Sequence, residues 1–228
     1  MTVIVCPGVH DPDLTWSFLA NLEIGANPPR TALSYDVLVF PAERYPAYSA
    51  LHLLDFLLHQ LSNPLGNSLS NSLSNSLSNP RANSRPFKPF PALQLEAIEM
   101  PLVFLGFSAG VVGAIGAAHL WQWLGGTVKA FIALDGWGVP LYGNFPIHRI
   151  SHDYSTHWSS ALLGAGNEGF YADPPLPHLE LWRSPHTTQG WQTHPTPWFN
   201  PALVEVSSPE PTTAARFLLA LLRRYGEG

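Results

Sequence analysis

Gly106-Phe-Ser-Ala-Gly110, preceded by Pro101-Leu-Val-Phe-Leu105 and followed by Val111-Val-Gly-Ala-Ile-Gly-Ala-Ala-His-Leu-Trp-Gln-Trp-Leu124, decides how this chain is read. The first flank is a short apolar run of strand type. The second is long and regular enough for a buried helix. A G-x-S-x-G pentapeptide between a strand and a helix is the setting of a nucleophile elbow. The serine at the tip of so tight a turn takes up a strained backbone, and its neighbours two positions away must be small. The turn lifts Oγ out of the sheet and leaves it at a helix N-terminus, where free N–H groups and the helix dipole favour negative charge. Ser108 is therefore the candidate nucleophile.

Upstream, Thr2–Cys6 is a continuous apolar run suited to a strand buried on both faces, and Pro7-Gly-Val-His-Asp-Pro-Asp13 is turn chemistry. A helix is expected over 14–22, a second strand over 35–40, and an amphipathic helix over 47–61 with Leu51, Leu54, Leu58 and Leu61 at helical spacing. Residues 63–91 contain Asn-Ser-Leu-Ser at 67, 71 and 75, then prolines and scattered cations. Such a segment is too polar to build a core and reads as a low-complexity surface insertion.

Downstream of the elbow helix, Gly125-Gly126 is a stop signal. Strands are expected over 127–134, 146–151 and 178–182. The stretch 154–177 is expected as a loop or lid, 187–210 as irregular chain, and a final helix should open at Thr212 or Thr213. Strands alternating with helices imply right-handed crossovers. The expected architecture is a three-layer α/β/α sandwich, one domain over 1–228, around a mostly parallel six-stranded sheet.

The whole chain sets further bounds. Its 228 residues, 46% of them hydrophobic, suit one globular domain. Charged residues make up only 12%, about half the usual ~25%. With 8 Trp and 23 Pro, that points either to apolar surface patches for an apolar ligand or to a polar uncharged surface. A net charge of −5 without a basic run argues against nucleic acid. The one cysteine, Cys6, lies in the first apolar run and excludes an internal disulfide and a Cys-based zinc site. No cleavable leader is evident and no apolar run approaches the ~18 residues of a membrane span. A soluble, reducing compartment is expected, most simply the cytoplasm.

These features together resemble the α/β-hydrolase fold family, in a compact form without the first two strands of its larger members. The resemblance covers nearly the whole chain outside 63–91. It rests most on Gly106–Gly110 and next on Val3-Ile-Val-Cys-Pro-Gly-Val-His10, which is similar to the strand and loop that supply half of an oxyanion hole. The resemblance implies a strand order 2-1-3-4-5-6, with a switch in winding between the first and third strands. Ligands of open α/β sheets bind at such a switch, here beside Gly8-Val9 and Ser108. It implies an activity too: a serine hydrolase that cleaves an ester or thioester with an apolar portion. The alternative from another class is a non-catalytic binding protein on the same fold.

Serine needs a base, and the base an orienting acid, in the family's chain order Ser, acid, His. Asp153, at the end of the 146–151 strand, is the expected acid, with Asp135 one strand earlier as the alternative. His186, after the 178–182 strand, is the expected base, although it stands in Ser184-Pro-His rather than in the small-residue Gly-x-Gly-His loop of many members. His152, His157 and His194 are further candidates. His178 begins its strand, at the wrong end of the sheet. His119, inside the apolar helix, reads as structural. The oxyanion donors by position are the backbone N–H groups of Val9 and Ala109, with His10 available for a polar contact. No H-E-x-x-H or comparable spacing occurs, so no metal site is expected, nor is any cofactor. The expected partner is a small, partly apolar acyl substrate.

Overall fold

The computed structural model describes residues 1–22, 36–62, 98–194 and 210–226. The repeat insertion at 63–91 lies outside the described residues. β1 (Thr2–Cys6), β3 (Leu102–Phe107) and β4 (Val128–Leu134) are central and fully or almost fully buried, which their near-continuous apolar sequence requires. β2 (Asp36–Val39) flanks β1, and β5 (Ile147–Ser151) and β6 (Glu168–Ala172) follow β4. These six strands pair in parallel in the order β2-β1-β3-β4-β5-β6. β7 (Gln189–Thr193) and β8 (Glu210–Thr213) then pair antiparallel at the far edge, so the described sheet has eight strands.

Successive side chains of a strand point to opposite faces, and the core divides accordingly. Val3, Val5, Val103 and Leu105 pack with Phe18 and Leu19 of α1 (Pro12–Asn21) and with Phe217 and Leu221 of α6 (Ala214–Gly226). Ile4, Cys6 and Phe104 pack on the other face with Leu53 and Leu57 of α2 (Ala50–Ser62) and with Val111 and Ala114 of α3 (Ala109–Trp123). Two short helices complete the described set: α4 (Tyr154–Ala161) and α5 (His178–Arg183).

The sheet corrects two expectations. It has eight described strands rather than six, and the sixth parallel strand is Glu168–Ala172, inside the stretch expected to be a lid. The segment expected as the sixth strand is instead α5. Alternating Leu179 and Leu181 suggest a strand, but Leu181 and Trp182 are both buried, and Trp182 stacks on Phe18 of α1 with ring centroids 3.7 Å apart. Packing against a helix, not pairing with a strand, decides the local conformation there. No helix among the described residues is long and apolar enough to cross a membrane.

Candidate active site

Ser108 sits between β3 and α3 with φ 54° and ψ −123°, one of two described non-glycine residues at positive φ. Such a conformation costs on the order of 1–3 kcal/mol and has to be held by its surroundings. They do so on both sides. The Ser108 N–H donates to the Leu134 carbonyl (2.9 Å), continuing the β3–β4 ladder, and the Ser108 carbonyl accepts from Val111 N–H (3.0 Å), starting the helix. The two glycines of the pentapeptide are sterically required. A Cβ on Gly110 would collide with the carbonyl oxygens of Cys6 and Pro7, and one on Gly106 would lie 2.9 Å from Val111 Cα. A Cβ on Gly8 would lie 2.9 Å from Ser108 Cβ, so the loop after β1 lies directly against the serine. The winding reverses between β1 and β3, and the crevice of this open sheet opens at their carboxyl ends.

A pocket of about 480 Å³ opens beside Ser108, within the usual range for small-molecule sites. Ser108 and Ala109 form one side, Val112, Trp137 and Val139 an apolar wall, and Asp135, His152 and His178 the polar side. Asp135 ends β4. It is the second residue at positive φ (51°), and its N–H donates to the Ile150 carbonyl (2.8 Å). Its buried carboxylate collects three hydrogen bonds. Oδ1 accepts from the His152 backbone N–H (2.8 Å), and Oδ2 accepts from His152 Nδ1 (3.0 Å) and His178 Nδ1 (2.8 Å).

A carboxylate only accepts, so the proton of each of these imidazoles lies on Nδ1. The two rings differ in what remains. His152 Nε2 faces Asp153 Oδ2 at 2.9 Å, so this ring is gripped between two carboxylates. The hydrogen bond to Asp135 raises the His152 pKa above the ordinary histidine range, partly opposed by burial and reinforced by the charges of Asp135 and Asp153. His178 has the Phe107 ring stacked against it, centroids 4.8 Å apart and planes within 13°, and in its neutral form offers Nε2 as a proton acceptor.

The residues expected from sequence separate into two groups. Ser108, Ala109, Asp135 and His152 meet at one pocket. His186 does not line it: its exposed ring lies in the turn after α5, with Nε2 hydrogen-bonded to the Asn21 carbonyl at the end of α1. His186, expected at the serine, is thus brought to α1 instead, and the cause is the helix at 178–183, which carries the following turn toward α1. Asp153 is engaged elsewhere as well. It is the N-cap of α4, accepting from Thr156 N–H (2.6 Å) and from Thr156 Oγ1 (3.2 Å), and it meets the cluster only through His152.

His157 is buried in α4, with Nδ1 3.4 Å from Ser151 Oγ and Nε2 3.2 Å from Thr193 Oγ1. His194 is exposed. His119 packs by Tyr142 and Phe145. His10 lines a separate cavity of about 110 Å³ between the ends of β1 and β2. Val9 is 82% exposed at the tip of the loop, one residue beyond Gly8.

The histidine that sequence reasoning passed over is His178. Once 178–183 is a helix rather than a strand, His178 stands at its first turn, at the pocket. A signal was present: Pro175-Leu-Pro177 ahead of the segment and Glu180 in the first turn are helix-start features. No family model and no curated protein matches the chain.

Proposed function

We propose that the chain is a serine hydrolase of the α/β-hydrolase type that cleaves an ester or thioester with an apolar acyl portion. The observation that carries this reading is that Ser108, strained at the strand–helix turn, shares a pocket with a histidine whose Nδ1 is held by a buried carboxylate. The roles follow from that arrangement. Ser108 Oγ attacks the acyl carbonyl as its proton passes to His178 Nε2. Asp135 keeps the imidazole in the Nδ1–H tautomer and stabilises the imidazolium that forms. The N–H groups of Ala109, at the free start of α3, and of Val9 receive the oxyanion, each donor worth roughly 3–4 kcal/mol. His178 returns the proton to the departing alcohol or thiol. Water activated by the same ring then releases the acyl group. Val112, Trp137 and Val139 supply the apolar surface for the acyl chain.

The test is labelling of the folded protein by a fluorophosphonate at neutral pH. Wild type should label at Ser108, and Ser108→Ala and His178→Ala should not. A folded wild type that resists the reagent and turns over no acyl ester would instead support the non-catalytic binding protein.

A further inference from the structure

The acyl-transfer reading uses one imidazole on Asp135, yet two converge there. We propose that Asp135, His152 and His178 form a binding site for a divalent transition metal of the zinc class, and that occupancy of this site and acyl transfer exclude one another. The metal-binding half stands on the cluster alone, whereas the exclusion rests on the function proposed above.

Three donor atoms, Asp135 Oδ2, His152 Nδ1 and His178 Nδ1, lie within 4.8 Å of one another, with the oxygen 3.0 and 2.8 Å from the two nitrogens. Tetrahedral zinc with bonds of ~2.0–2.1 Å separates its ligands by roughly 3.3 Å, so a modest opening of the two hydrogen bonds admits the ion. Two imidazoles and one carboxylate form a donor set suited to zinc, and the pocket beside Ser108 leaves a fourth position open. A second, separate feature is already in place. Histidine ligands typically donate their other N–H to a carboxylate, and His152 Nε2 does so to Asp153 Oδ2 at 2.9 Å. The two carboxylates, Asp135 and Asp153, balance the charge of a divalent ion.

For Nδ1 of either ring to ligate, the proton it now donates to Asp135 Oδ2 must leave that nitrogen. On His178 the proton moves from Nδ1 to Nε2, the tautomer that ligates through Nδ1. That move removes the lone pair that accepts the Ser108 proton, which is why the metal-bound form does not acylate.

The experiment uses tag-free, full-length protein titrated with Co²⁺ and then Zn²⁺ at neutral pH. Expected is one Co²⁺ per chain with visible ligand-field absorption, displaced by Zn²⁺. Asp153→Asn should weaken binding roughly 10–100-fold, and His152→Ala or His178→Ala by at least as much. His186→Ala and Ser108→Ala should bind as wild type. The stoichiometry and the ligand-field absorption need no variant, so they decide the matter even where a substitution fails to fold. No saturable binding at one ion per chain, or binding indifferent to both His152→Ala and His178→Ala, would each overturn the site. Zn²⁺ should also block fluorophosphonate labelling in the wild type, with recovery on chelation. If the metal binds but labelling proceeds unchanged, the exclusion is wrong. If Ser108 never labels, the acyl-transfer reading fails and the metal titration still stands or falls by itself.

Discussion

His152, at the carboxyl end of β5, and His157, five residues on in α4, have surroundings that push them in opposite directions. His152 lies between Asp135 and Asp153 at the pocket, and hydrogen bonding to Asp135 raises its pKa. His157, on the buried side of α4, lies against Ser151 and Thr193. Burial, with the Arg149 charge as a lesser cause, lowers its pKa to about 4. His148, on the opposite face of the same strand, is lowered to about 4 by burial and hydrogen-bonds the Tyr225 hydroxyl (2.8 Å). The difference lies in the partner. A hydroxyl satisfies a neutral imidazole but does little for a charged one, whereas a carboxylate favours the proton. A histidine in a buried hydroxyl cluster is therefore a structural element, and one that faces a carboxylate beside an open pocket has proton chemistry available to it.

The largest expected break in this contrast comes from Asp135→Asn. An amide at this position no longer enforces the Nδ1–H tautomer of His178, and labelling or ester hydrolysis should fall by about 10⁴-fold. His152 should at the same time titrate nearer its ordinary range, read by NMR of the imidazole protons. A rate within a few-fold of wild type would separate Asp135 from catalysis.

The next effect is on stability. The folded pKa of His157 is depressed, so its contribution is complete above the unfolded value near 6.5 and is lost as pH falls through about 4. The loss over that window amounts to roughly 3 kcal/mol, and His148 contributes a similar slope. Urea unfolding of wild type and His157→Gln at pH 6.5 and 4.5 should show a shallower pH dependence in the variant, and parallel curves would contradict the burial argument. The sign is opposite for His152. Its folded pKa is raised, so its contribution is present below about 6.5 and is lost as pH rises through the raised value.

The smallest effect belongs to Asp153→Ala, which removes the N-cap of α4 and should cost about 1 kcal/mol. That loss should appear in urea unfolding without the collapse in rate expected of Asp135→Asn. A collapse of comparable size would return the acid role to Asp153.

The serine side of the site was legible because its information is local. Gly106, Ser108 and Gly110 stand within one turn, and Gly8 is close to the start of the chain, so close packing leaves its mark in sequence as obligatory glycines. The parallel core was legible for a similar reason: strands buried on both faces need uninterrupted apolar runs, as at Thr2–Cys6 and Leu102–Phe107. The edge strands β7 and β8 carry no such runs. Their Gly190, Trp191 and Pro211 read as irregular chain until the neighbouring strand is present to pair with them.

The polar side, Asp135 with His152 and His178, depended on distance in sequence that only the fold closes. Asp135, His152 and His178 come from the ends of β4 and β5 and from the start of α5, and no spacing rule links residues 17 and 43 positions apart. Chain order points to His186 only if the preceding element is a strand. The stacking of Trp182 on Phe18 made it a helix and sent the next turn toward Asn21. Local sterics and hydrophobic pattern are enough to place Ser108 in a strained strand–helix turn and to specify the parallel core. The tertiary structure alone decided which carboxylate and which imidazoles share the pocket with Ser108, because that depends on which loops the packed helices bring to one edge of the sheet.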